Sequence, residues 1–346
     1  MALASVGHAS EALRNAILAV SAFHKCGATA ALPFKAKAVR SLASSLSYEN
    51  ASDEAALNSQ LAASMMLCVY SVFDETEGNW HSYLNGARTM SLHINDTFKG
   101  KLCSQFLHTW LTYHEVLGAF SRPSEIIKHN SSSIDLLKDD NYDDSIVIGS
   151  LGCSLGVLDA IHSLNKMRCT ITTETLDMAE IFNLERKLIC MKQSLDPIDS
   201  LIVQNVNTEQ HSRIWCTAEL YRLAALLYHQ RVCALYLKRH EERTSYLQQA
   251  FQILSSLKVC TSPWPLFVIA SEAENDDQRL IILHTLDRMD EARKIGNVFV
   301  LRNIIQSFWK QVDLAAGCVK GSKESSRLNW WDILFLDSKT AVPWFI

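Results

Sequence analysis

Pro263 and Pro265 bracket Trp264 in the stretch Ser-Pro-Trp-Pro-Leu-Phe-Val-Ile-Ala-Ser-Glu-Ala-Glu-Asn-Asp-Asp-Gln-Arg, and no other feature limits the fold as much. Two fixed φ angles forbid a helix from running through from upstream. Leu266 to Ala270 carries no charge, so this segment has to enter the interior; Glu272 and Glu274 follow it. Asp276 or Asp277 is placed to cap a following helix, Arg279 to Leu286, by accepting a bond from one of its first free amides. An arginine drawn inward there needs an acidic partner, and Glu272 with Arg279 is the expected structural ion pair. The stretch reads as a structural clamp in preference to a reaction centre.

Just upstream, Leu220 to Tyr236 carries two apolar stripes at helical spacing. One is Leu220, Leu223, Ala224, Leu227 and Arg231; the other is Tyr221, Ala225, Tyr228, Val232 and Tyr236. A helix apolar on two faces is sandwiched between others, so this one is expected at the centre.

The rest of the chain reads as further helices: Ala9 to Cys26, Phe34 to Leu46, Glu54 to Phe73, one beginning at Trp80, and Leu102 to Phe120. Beyond them come Leu176 to Leu188, Arg243 to Leu257, Val298 to Ala315 and a last short segment from Trp330 to Leu334. Only 12 Gly and 6 Pro in 346 residues favour long helices over a turn-rich β architecture. No alternating strands are expected. Gly149, Gly152 and Gly156 fall at or near the start of a helix towards Met167; without a preceding strand and a Gly-Lys-Ser/Thr they make no phosphate loop. The fold class is therefore all-α, a multi-helix globular domain over 1–346. An internal division is expected at the Ser- and Asp-rich loop 124–145, and a Gly/Ser/Lys-rich linker at 317–326.

A net charge of −4 offers phosphate backbones no global attraction. The ten cysteines include no pair separated by only two residues, so a structural zinc site is not expected and reduced core thiols are. No metal and no cofactor are expected. No apolar stretch looks long enough for the ~20 residues a membrane span takes, and the N-terminus lacks a signal-peptide pattern.

Several stretches together resemble one family. They are Leu13 to His24 (Leu-Arg-Asn-Ala-Ile-Leu-Ala-Val-Ser-Ala-Phe-His), Trp80 to Ala87 (Trp-His-Ser-Tyr-Leu-Asn-Gly-Ala), Tyr221 to Tyr228, Trp264 to Ala273 and Trp330-Trp331. Their order and spacing resemble the fungal-specific transcription factor domain that follows Zn2Cys6 DNA-binding modules. The resemblance implies an all-α middle homology region that works in the nucleus and regulates an activator, sometimes by sensing a metabolite. Members carry a basic six-cysteine cluster ahead of this domain; here nothing of the kind precedes the first helix. The expectation is thus a regulator module without its own zinc cluster, making no direct nucleic-acid contact. It would act through protein partners of a transcription complex or a hydrophobic small molecule, in control of secondary metabolism.

The alternative comes from another class. A helical domain with an apolar interior can be repurposed as an enzyme, for example a cyclase or pericyclase, or as a carrier for a hydrophobic metabolite, located in the cytoplasm. Such a reaction needs shape and a few hydrogen bonds rather than a motif. No catalytic residue is assigned. The candidate ligand-binding residues are His229 and Arg231 on the central helix, Trp80 and His81 at a helix start, and Tyr113 and His114. The last two sit in a polar group with His108 and Glu115 whose spacing does not suit a metal pair. For each, the competing role is structural: ion pairing, aromatic packing or a satisfied buried polar group.

Overall fold

The structure, a computed structural model, describes residues 10–47, 54–74, 80–95, 102–121, 134, 143–149, 151–170, 177–195, 208–234, 236–237, 240–293, 296–318, 329–334 and 345. The helices are α1 Glu11–Cys26, α2 Ala28–Ser47, α3 Glu54–Phe73, α4 Trp80–Asn95, α5 Leu102–Ser121, α6 Leu155–Thr170 and α7 Met178–Cys190. They continue with α8 Thr208–Val232, α9 His240–Ser256, α10 Pro263–Ser271, α11 Asp276–Arg293, α12 Gly296–Cys318 and α13 Trp330–Leu334. The all-α reading holds. The expected loop 124–145 and linker 317–326 lie largely outside the described residues.

Three short strands correct the expectation of none. β1 (Ile146–Ile148) lies between β2 (Cys153–Ser154), its antiparallel neighbour, and β3 (Ser194–Leu195), its parallel one. Gly149 and Gly152 therefore do not open a helix; they lie in the turn between β1 and β2, where Leu151 and Gly152 both donate to the Ile148 carbonyl. Only Gly156 is helical. Strands of two or three residues offer too few positions for a period-two pattern to register.

Two large hydrophobic cores organise the helices. The first is built from α1 to α4 and the early half of α5, around Leu13, Leu61, Met65, Trp80, Leu107 and Leu111. The second takes the later half of α5, through Tyr113, Leu117 and Phe120, and gathers α6 to α13 around it. α5 thus belongs to both. Its register is held from α6: Asn165 donates to the Val116 carbonyl at 2.9 Å, and Arg168 to the Phe120 carbonyl at 2.7 Å. The Phe120 carbonyl is one of the last in α5, which have no partner within their own helix.

Local chemistry sets the helix ends. Ser10 caps α1 by accepting from the Leu13 amide, and Gly27, at φ +84°, stops it with its own amide bonded to Phe23. α2 then begins at Ala28 rather than Phe34, with Pro33 inside it. α3, over Glu54–Val72, is long and apolar enough by length and composition to cross a membrane, contrary to the sequence expectation; 72% of that window is buried inside the fold.

α8 is the central helix, as expected, but it ends at Val232, so Tyr236 of the expected second stripe lies in the turn beyond it. Leu220 to Tyr228 is buried all round except Arg222, packed by α6, α7, α9, α10 and β2. α10 is the clamp: Pro263 starts it and every residue to Ser271 is buried. Trp264 stacks on Tyr221 of α8 at 5.8 Å, and the Trp309 indole of α12 donates to the Ala270 carbonyl at 2.8 Å. Asn275, not Asp276 or Asp277, caps α11: its side chain accepts from the Gln278 amide while the Gln278 side chain accepts from Glu274.

Candidate functional site

Where the two cores meet, α5 leaves a cleft of about 350 Å³, at the small end of the roughly 300–1,000 Å³ usual for ligand pockets. Val69 of α3 and Trp110, Tyr113 and His114 of α5 form one wall. The opposite side is made by the β1–β2 turn and by Arg213, Ile214 and Thr217 near the start of α8, with Ser262 ahead of α10 at the margin. The walls therefore come from segments far apart in sequence.

The turn can lie this close to α8 only because position 152 is glycine. Its φ is +78°, and a Cβ there would stand 3.0 Å from the Thr217 methyl. A side chain would be strained by the backbone and would also crowd the Thr217 methyl.

A chain of hydroxyls runs inward from the cleft. Tyr113 and Tyr221 share a hydrogen bond of 2.6 Å, and Tyr221 also bonds the Ser262 side chain. Burial first, and then the neighbouring Tyr113, push the Tyr221 phenol well above its ordinary value, so it stays protonated. His114 donates from Nδ1 to the Trp110 carbonyl at 2.8 Å. Burial lowers its pKa from 6.5 to about 4, the backbone bond only partly offsetting this, so the ring is neutral at neutral pH. Arg213 supplies exposed positive charge; Glu209, one turn before it, is held by Lys258 at 2.5 Å. Among the described residues no carboxylate lines the cleft, and the His114 Nδ1 proton is already committed. The arrangement offers hydrogen bonds, one cation and the Trp110 ring. Hydrogen-bonding groups, a cation and an aromatic ring are what can hold and orient a small ligand.

Tyr113 and His114 are thus brought together in the cleft, while the other candidates lie elsewhere. Trp80 is buried in the first core against Gly118, whose Cβ would stand 3.1 Å from the indole. His81 meets Trp80 edge-on at 6.0 Å. His108 is buried on α5, and burial lowers its pKa; Glu115 lies 3.7 Å from Arg88 of α4. His229 is fully buried and donates from Nε2 to the Ile181 carbonyl at 3.0 Å, tying α8 to α7.

Arg231 is in an ion pair, but the expected pairing of Glu272 with Arg279 is not what forms. Glu272 accepts from Arg231 at 2.7 Å and from Arg243 at 2.8 Å, and Arg243 also reaches Glu274 at 2.7 Å. Burial would raise the Glu272 pKa; the two guanidiniums outweigh it and hold the carboxyl below its ordinary value. Arg279 instead makes a two-pronged contact with Asp313 of α12 at 2.9 and 2.7 Å and lies over the Trp309 ring. The reason is the turn at 272–275: α10 ends at Ser271, and Arg279, one turn into α11, faces α12.

One buried cation had no signal in the sequence. Arg168 is buried among the rings of Phe120, Tyr228, Trp330 and Trp331, 5.3 to 5.8 Å from their centroids. Those rings come from three separate helices, α5, α8 and α13, and no local pattern announces them. Among the described residues no group of three His, Cys, Asp or Glu side chains could hold a metal. The described cysteines are free thiols, and burial pushes those of Cys68 and Cys153 up.

Comparison with known proteins places this geometry in a context. The family model for the fungal specific transcription factor domain matches residues 2–342. A curated relative, "Transcription factor iacI" of Pestalotiopsis fici, is 27% identical over 317 residues, covering 88% of this chain and 78% of the relative. No solved structure matches.

Proposed function

Because the chain belongs to the fungal specific transcription factor domain family, we propose that its regulatory role is exercised through the cleft between the two cores. A small molecule bound there touches α5, which is part of both cores, together with the β1–β2 turn and the start of α8. Binding would favour one relative arrangement of these elements, and the differential affinity of the ligand for the two arrangements is the regulatory signal. The observation that carries this reading is the position of the cleft: Tyr113 and His114 on one side, Arg213, Ile214 and Thr217 on the other.

In this reading the 346 residues act in the nucleus through protein partners, without touching DNA through a zinc cluster of their own, in the control of secondary metabolism. The net charge of −4 and the wide spacing of the cysteines support it. A gene-deletion strain tests it by transcript profiling together with metabolite analysis. The expected result is loss of a coherent set of transcripts for biosynthetic enzymes. Normal transcripts with accumulation of a pathway intermediate would instead assign the chain to the chemistry of the pathway.

A further inference from the structure

α2 turns one apolar face inward and keeps a second one outward. Ala31, Ala38 and Leu42 are buried. Leu32, Ala36, Val39, Ala43 and Leu46 recur at alternating steps of four and three residues, and all five are exposed. Leu32 is 60%, Val39 37% and Leu46 51% exposed. At 3.6 residues per turn these positions form one narrow stripe. A four-three alternation is the register that buries a seam against a second helix. Isolated surface leucines need no explanation, but a contiguous apolar stripe marks a contact surface. The alternation of large residues with Ala36 and Ala43 leaves room for a partner backbone to approach closely.

Charge decides the occupant. Within α2 the ionisable residues are Lys35, Lys37 and Arg40, with no acid. Lys35 is already engaged over the Tyr70 ring at 5.0 Å. Lys37 and Arg40 are exposed; at 3.6 residues per turn Arg40 flanks the seam directly, and Lys37 lies further round on the same solvent side. A second copy of α2 would bring like charges together, which opposes association; a helix with carboxylates along its edge would complement them. We propose that α2 docks an amphipathic helix of a protein partner, with apolar residues at heptad spacing and acidic residues flanking them. This is the helix-on-helix mode of recognition, read through a few anchors. No α2 residue lines the cleft, so the docking surface stands whether or not the cleft binds a ligand.

Two labelled synthetic peptides test it against the full chain by fluorescence anisotropy. Both carry the same leucine/alanine heptad seam; one is flanked by glutamates, the other by lysines. The glutamate peptide is expected to bind at least about tenfold more tightly and to weaken as salt is added. Leu32→Gln/Val39→Gln/Leu46→Gln should abolish binding with the thermal midpoint unchanged, since all three side chains are exposed. Lys37→Glu/Arg40→Glu should reverse the preference between the peptides. Equal binding of both peptides, or of neither, overturns the proposal. So does a concentration-dependent dimer in sedimentation that the triple glutamine variant abolishes, because a second copy would then cover the face.

Discussion

His114 is neutral inside the fold because its ring is buried, with its pKa lowered from 6.5 to about 4. As pH falls below the ordinary value, the unfolded chain takes up a proton that the folded chain refuses until about pH 4. Stability is therefore present above about 6.5 and lost as pH falls towards about 4, by about 3 kcal/mol across that window. His114→Gln should remove this share of the acid sensitivity, measured as the pH dependence of the urea midpoint. An unaltered acid limb would mean that His114 is not the buried neutral group described. A second residue-scale claim concerns Glu272, which two arginines share. Glu272→Ala leaves Arg231 buried without its carboxylate and should cost about 3–5 kcal/mol. Asp313→Ala removes only the more exposed partner of Arg279 and should cost at most about 1 kcal/mol. Equal losses in denaturant titrations would contradict the assignment of partners.

Among the elements, those whose local chemistry agrees with their burial were legible in the sequence. α8 shows two apolar stripes because it is enclosed on both, and α10 is announced by two prolines and an uncharged run. The bounds expected for α3 and α13 match the structure. The small sheet was not legible, nor was the pairing of Glu272, which depends on α8 and α9 rather than on its own neighbourhood. The cleft was half legible: Tyr113 and His114 stood out as polar residues in an apolar helix. Their opposite wall did not, because Tyr113 meets Tyr221 across 108 positions of sequence. The β1–β2 turn supplies the test at this scale. Gly152→Ala should cost about 1–2 kcal/mol for the left-handed backbone alone, and more from the contact with Thr217. Adding Thr217→Ser removes the obstructing methyl and should recover the second part but not the first. Full recovery in the double variant, or no loss in the single one, would show that the turn is not held against α8 as described.

For the molecule as a whole, the arrangement of consequence is that one helix serves two cores. α5 contributes Leu107 and Leu111 to the first and Tyr113, Leu117 and Phe120 to the second, and the cleft opens where it crosses from one to the other. Packed cores shift between discrete arrangements rather than deforming continuously, so in the proposed reading a ligand at such a crossing would act on both. The direct measurement is the transcript level of the target genes in a strain carrying Ile214→Trp in place of the wild-type chain. Ile214 is partly exposed at the cleft, and an indole there fills the space a ligand would take while leaving the Tyr113–Tyr221 pair in place. With protein abundance and thermal midpoint matched to wild type, the account predicts transcript levels that no longer respond to growth conditions, fixed either high or low. Transcripts that follow the wild-type pattern with the cleft filled would contradict it.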